Sequence, residues 1–226
     1  MNKRSLLRCL VYALGLIVLA LGITLNTKTG LGTAPLVSVS YVVSQLTGWV
    51  FANVTFVVYG LFALIEVALH LFRRDYRRIL NDLAQLPFAL VFTRFMGLFD
   101  RLLPNLATDC AGTFWGAMGG RIAALAVAIV LIGVGACLSV RMRLIPNPGD
   151  GVVLALSERT GWKLGASKNA FDIANVLLAL AIGLVARGHI VGVGIGTILA
   201  MLGVGRVVDL TGRLLAPLIN RLAPKG

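Results

Sequence analysis

The chain has 226 residues, of which 58% are hydrophobic and only 13% charged, and its mean hydropathy is +0.90. A water-soluble domain carries roughly a quarter charged residues, so this composition excludes an ordinary soluble fold and points to an all-α, polytopic membrane protein. The formal net charge of +12 would suit nucleic acid, but the basic residues cluster at the ends of apolar runs, which assigns them to a membrane surface and leaves nucleic acid out.

A helix needs about twenty apolar residues to cross a hydrocarbon core roughly 30 Å thick. The first such run is Leu6–Leu25, after a basic start. It is longer than the apolar core of a signal peptide and no small-x-small cleavage site follows, so it reads as a span. Gly30, Gly32 and Pro35 then break the pattern before "APLVSVSYVVSQLTG". From Pro35 to Thr47 a helix would be about 20 Å long, too short to cross, which suits a broken or re-entrant helix. Phe51–Phe72 is the second span. After "RRDYRR" at 73–78 comes a weaker third, Ile79–Phe99, holding Gln85 and Arg94. Arg121–Val140 is the fourth span, and "PGDGVVLALSERTG" is a second short element opened by Pro148. Ala166–Ala186 and Ile190–Leu210 make the fifth and sixth, and 219–226 reads as a short tail.

The second half repeats the first. An ungapped offset of 113 residues pairs Arg8 with Arg121, Gly22 with Gly135, Pro35 with Pro148, Arg74 with Arg187 and Pro104 with Pro217. It also pairs Thr47-Gly48-Trp49 with Thr160-Gly161-Trp162, two of only three tryptophans. Tryptophan suits the headgroup level of a membrane. One membrane domain, 1–226, is expected, with repeats at 6–105 and 119–218. If the short elements do not cross, the three-span halves are inverted, and Lys3, Arg4, Arg8, "RRDYRR", Arg141, Arg143, Arg213, Arg221 and Lys225 share the inner side. That satisfies the preference of basic residues for the cytoplasmic face. The expected location is a bacterial cytoplasmic membrane, with both termini inside.

Inverted repeats with broken helices are the build of many secondary transporters, whose solutes bind near the midplane against half-helix ends. Pro35 and Pro148 each suit a first helical position. Asn147 is placed to cap the second short helix, Thr33 to cap the first, and Asp150 lies in a first turn. Ionisable residues inside spans are costly and mark functional sites. They are Glu66, the least explained of them, Arg94, Asp172 with Lys168 and the polar Asn175, and Arg206 with Asp209. Spacings of three or four make Lys168–Asp172 and Arg206–Asp209 natural intrahelical pairs. Arg94 can snorkel or pair with Asp100, and His70 and His189 read as interfacial. The candidate solute-binding set is therefore Gly30, Gly32, Pro35, Glu66, Asn147, Pro148, Asp150, Asp172, Asn175, Arg206 and Asp209.

The glycines of "VGVGIGTILAMLGVG" suit close helix packing rather than a phosphate loop. Cys9, Cys110 and Cys137 have no disulfide or metal spacing and read as small apolar residues. No catalytic motif is present, so no enzyme, cofactor or metal is expected. Membrane lipids and a small solute are the expected partners, and homo-oligomerisation stays open. The competing reading is an accessory or scaffold membrane protein that supports another complex or binds lipid.

Taken in order, "GLGTAP" with "TGW", then "PNPGDG", "TGW" and "SKNAFDIANVLLAL", then "VGIGTILAMLGVGRVVDL", resemble the YczE/YyaS/YitT-like bacterial membrane proteins over about Leu6–Leu215. The resemblance implies a multi-pass membrane fold and no established substrate. Its glycine–proline turns, acidic residue and late glycine segment fall on Gly30–Pro35, Pro148–Asp150, Gly194–Thr197 and Gly205–Asp209. The first half departs from the acidic pattern, with Leu36-Val37 where the second has Gly149-Asp150.

Overall fold

Glycines decide how the first and fourth spans meet. Gly15 and Gly22 lie on the buried face of α1 (Lys3–Lys28), and Gly135 on that of α5 (Met118–Arg141). A Cβ on Gly15 would stand 2.8 Å from the Ser139 amide nitrogen, one on Gly22 2.7 Å from that of Ile132, and one on Gly135 2.7 Å from Leu19 Cα. Only hydrogen fits, so the two backbones touch, which is how helices gain packing energy in lipid. The contacts run antiparallel. Arg8 donates from Nε to the Met142 carbonyl and from Nη2 to that of Arg143, both at 2.7 Å. At the other end Arg121 donates from Nε to the Thr29 carbonyl (2.7 Å) and from Nη2 to that of Gly30 (2.9 Å). Each guanidinium thereby satisfies carbonyls left open where the other helix ends.

The computed structural model describes residues 3–71, 76–162 and 164–223, with 76–78 and 164–165 as backbone only. All regular structure among them is helical. Among the described residues six helices are long and apolar enough to cross a membrane: α1, α3 (Phe51–Leu71), α4 (Tyr76–Leu102), α5, α7 (Leu164–Arg187) and α8 (Ile195–Leu214). The two short elements are a 3-10 turn, Pro35–Val37, leading into α2 (Ser38–Thr47), and α6 (Pro148–Thr160). The sixth span starts later than the sequence suggests, because 188–194 form a loop whose Gly192 carbonyl accepts the Thr33 N–H at 3.0 Å. The expected tail is helical to Leu222, as α9 (Ala216–Leu222), because Ile219 and Leu222 bury against the bundle.

Pairings along α3 and α4 (Asn53 with Arg94, Glu66 with Gln85, His70 with Asp82) make them an antiparallel hairpin. α4 runs beside α1, where Tyr12 meets Phe88 edge-on and Lys28 pairs with Asp100 at 2.9 Å. Asp100 is thus taken by Lys28, not by Arg94. α8 packs along α5 through Gly133 and Gly203, and α7 lies against α2, with Arg187 donating to the Gln45 carbonyl at 2.7 Å. α3 and α4 pack closely, whereas α7 and α8 barely touch.

The doubled Thr-Gly-Trp builds one turn twice. Gly48 and Gly161 each close a helix in the left-handed region, at φ 73°, where a Cβ is strained. Thr47 and Thr160 hydroxyls donate to the Val43 and Leu156 carbonyls, both at 2.8 Å. Ser44 and Ser157 donate to the Trp49 and Trp162 carbonyls, both at 2.7 Å. Both indole rings are left exposed. Trp49 shares its end of the bundle with Lys28 and Asp100. α7 is about 36 Å long and reaches that end at Arg187, so Trp162, before its start, lies at the opposite end. Of the described basic side chains near the helix ends, Lys3, Arg4, Arg8, Arg141, Arg143, Arg159, Arg213 and Arg221 belong to the Trp162 end, and Lys28, Arg101, Arg121 and Arg187 to the Trp49 end. Positions 73–75 of "RRDYRR" and Lys225 lie outside the described residues. Cys137 is buried as expected, but Cys9 is exposed on α1.

Candidate functional site

Pro148 opens α6 because a proline at the first helical position leaves no N–H unpaired, and the Asn147 carbonyl takes the N–H groups of Asp150 (2.8 Å) and Gly151 (2.9 Å). The Asn147 side chain does not cap. Its amide is buried and faces the buried Tyr59 hydroxyl instead. Thr33 does not cap either. The N-cap of the first short element is Ala34, one residue later, and the Thr33 N–H is held by the Gly192 carbonyl and by Thr197 Oγ1 at 3.1 Å.

The starts of the two short helices meet inside the protein. Gly149 packs against the Leu36 side chain so closely that a Cβ there would collide with it. Gly151, half a turn on, faces the carboxylate of Glu66 on α3, and a Cβ at this position would stand 2.6 Å from the carboxyl carbon. Glu66 is 1% exposed. Its Oε2 accepts the Gln85 side-chain amide at 2.7 Å, while its Oε1 and the Gln85 Oε1 have no partner. One turn further along the hairpin, His70 Nδ1 is 2.7 Å from Asp82 Oδ2. His70, in the last turn of α3, is buried and paired, whereas His189 is exposed.

On α7, Lys168 binds both carboxylate oxygens of Asp172, at 2.9 and 3.1 Å, the expected pair. Asp150 lies within electrostatic reach of both. Asn175 is buried and donates to the Phe171 carbonyl at 2.9 Å. Glu66, Asn147, Pro148, Asp150, Asp172 and Asn175 thus lie on the inward-facing surfaces of α3, α6 and α7. Gly30, Gly32 and Pro35 belong to the loop before α2. There Gly32 is held against Gly194 and Thr197, and Gly196 donates to the Leu31 carbonyl at 2.8 Å. Arg206 and Asp209 stand apart: both are exposed on α8, and they do not form the expected ion pair.

Two cavities approach from the Trp49 end. One of about 200 Å³ is lined by Thr27, residues 30–33, Tyr41 and residues 192–194, and one of about 360 Å³ lies beside it at Tyr41 and Trp49. A third, of about 250 Å³, is lined by Glu66, His70, Asp82, Gln85, Gly151 and Glu158 and lies toward the Trp162 end.

Sequence reasoning missed the roles of Tyr59, Asp82 and Gly151. An antiparallel hairpin drawn for α3 and α4 would have found one of them, since the register that sets Glu66 opposite Gln85 also sets His70 opposite Asp82.

Six apolar crossings around a buried polar interior define a multi-pass helical membrane protein. The chain matches a family of unknown function, DUF6198, over residues 6–213, and it belongs to that family. It is 29% identical to the uncharacterized membrane protein YczE of Bacillus subtilis (strain 168) over 209 residues, which cover 92% of this chain and 86% of that one. No solved structure matches.

Proposed function

We propose that the protein is a carrier for a small solute in a bacterial cytoplasmic membrane, built from two inverted three-span repeats with both termini inside. The inversion is supported by contacts that exchange under the 113-residue offset. Arg8 binds the carbonyls of residues 142 and 143, and Arg121 those of residues 29 and 30. Gly22 abuts Ile132 and Gly135 abuts Leu19, while Leu36 touches its own counterpart, Gly149. Such exchange between antiparallel helices is the signature of a two-fold axis crossing them, parallel to the membrane plane. The excess of basic residues at the Trp162 end supports that end as cytoplasmic.

One observation carries the carrier reading: two half-helix starts meet among buried polar side chains, with cavities reaching toward them from both ends. Desolvated polar and charged groups persist inside a membrane where they serve a pathway. The test is reciprocity. Cysteines replace both Tyr41 and Leu154, which line cavities at opposite ends, in one chain otherwise free of cysteine. Each is labelled with an impermeant maleimide in vesicles of known orientation. A carrier predicts that a bulky label fixed at Leu154→Cys slows labelling of Tyr41→Cys, and the converse. Labelling at each site that ignores the other contradicts alternating access and favours the scaffold.

A further inference from the structure

We propose that the cavity between α3, α4 and α6 binds an organic monocation of the primary-ammonium class. Passage of that cation across the membrane rests on the carrier reading; its binding does not. Oxygen acceptors dominate the polar lining. Glu66 Oε1 and Gln85 Oε1 are buried in its wall with no partner. The Gln85 amide donates one N–H to Glu66 Oε2, and its carbonyl oxygen is left without a partner. Asp82, paired with His70, and Glu158, which is also engaged, complete the acidic side of the lining beside the Asn81 amide. Among the described lining residues there is no lysine or arginine. The one basic side chain, His70, is engaged with Asp82 and not with Glu66. Among the described residues, the charges that act on Glu66 are those of Asp82 and Asp150, both of its own sign. Lys168 is committed to Asp172 within α7.

A carboxylate taken out of water is costly without a counter-charge, and unpaired buried acceptors add to that cost. A cation that also donates hydrogen bonds answers both. The size and donor set narrow the class. About 250 Å³ is more than a bare ion needs and close to the lower range of small-molecule sites. No three described His, Cys, Asp or Glu side chains are grouped to hold a metal ion. An ammonium group has three N–H donors, matching the two orphaned oxygens with one to spare for water or a neighbouring carboxylate. Its short alkyl body would lie along Pro146, Leu154 and Ala155, the apolar part of the wall. Gly151 belongs to the same design, because a methyl there would displace the carboxylate from the position that accepts Gln85.

The test is a melting experiment on the purified full chain in detergent, with ethylammonium, tetramethylammonium and sodium chlorides at matched ionic strength. Ethylammonium is expected to raise the melting temperature in a saturable way, and the other two to leave it unchanged. Glu66→Gln is expected to weaken that binding by on the order of thirtyfold or more, as loss of one partner of a buried charge pair does. Leu154→Trp, at a half-exposed position in the wall, is expected to weaken it with Glu66 intact, which keeps the test decisive if Glu66→Gln fails to fold. A response to sodium equal to that of ethylammonium, an equal response to tetramethylammonium (which lacks N–H donors), no response to any cation, or an unaltered response in Glu66→Gln and Leu154→Trp would overturn the assignment. Ethylammonium binding together with independent labelling at Tyr41 and Leu154 would leave the cation site standing and remove the carrier reading. Reciprocal labelling without ethylammonium binding would do the reverse.

Discussion

Replacing Gly151 by alanine tests the α3–α6 contact with a single methyl group. The added Cβ would stand 2.6 Å from the Glu66 carboxyl carbon, well inside ordinary contact. Relief requires moving a buried carboxylate whose Oε2 is held by Gln85 at 2.7 Å, or moving α6 off α3. Weakening a hydrogen bond to a buried charge costs about 1.5–3 kcal/mol, and overpacking by itself costs about 1–3 kcal/mol. The helix gains up to about 1 kcal/mol from replacing glycine. The net expectation is a loss of about 1.5–5 kcal/mol, read by reversible unfolding in mixed micelles. Gly60→Ala is the control: it lies mid-helix in α3 with open space around it and is expected to be neutral or stabilising by up to about 1 kcal/mol. A double-mutant cycle of Gly151→Ala with Glu66→Ala should recover about 1 kcal/mol or more, because the struck group is gone. If Gly151→Ala behaves like Gly60→Ala, or if the cycle shows no coupling, Glu66 does not pack on α6 as described.

Gly135→Ala should destabilise by about 3 kcal/mol or more, because its Cβ meets Leu19 backbone rather than a side chain that can turn away; the same unfolding assay measures it. Arg8→Ala and Arg121→Ala remove matching pairs of hydrogen bonds, at 2.7 and 2.7 Å and at 2.7 and 2.9 Å. Their losses should agree within about 0.5 kcal/mol, and one neutral arginine beside one costly one would contradict the exchange symmetry. In the connection between α4 and α5, the Asn105 N–H and the Thr108 hydroxyl hold the Asp109 carboxyl below its ordinary pKa. A depressed carboxylate supports its loop above the unfolded pKa and loses that support as pH falls through the folded value. Thr108→Ala should raise the Asp109 titration in a carboxyl carbon-13 NMR experiment, and an unmoved titration would contradict the assignment.

Much of this architecture is legible in the sequence because bilayer thickness and backbone chemistry constrain it directly. The long apolar runs have to be spans, and the glycine–proline breaks at Pro35 and Pro148 have to be helix starts. The repeated Thr-Gly-Trp has to be one turn, because a left-handed C-cap wants glycine and an interfacial ring wants tryptophan. Expectations fail where a partner far along the chain wins over a local one. Thr33 is spaced to cap its own helix, yet its N–H is held by Gly192 and Thr197. Arg94 has Asp100 near it in sequence, but Lys28 takes that carboxylate. Arg206 and Asp209 have the spacing for a pair and do not form one. Glu66 is visible as an unexplained charge, but its contact with Gly151 depends on how α6 lies against α3, which no local pattern encodes.

Inverted repeats require the two short helices to point to opposite membrane faces. In a chain with Cys9, Cys110 and Cys137 replaced by alanine, single cysteines at Thr47 and Thr160 are exposed to an impermeant maleimide in intact cells and after lysis. Labelling of Thr47→Cys from outside, and of Thr160→Cys only after lysis, is the predicted result. Labelling of both from the same side would contradict the inverted repeats, and with them the interior meeting of helix starts as a site reached from both faces.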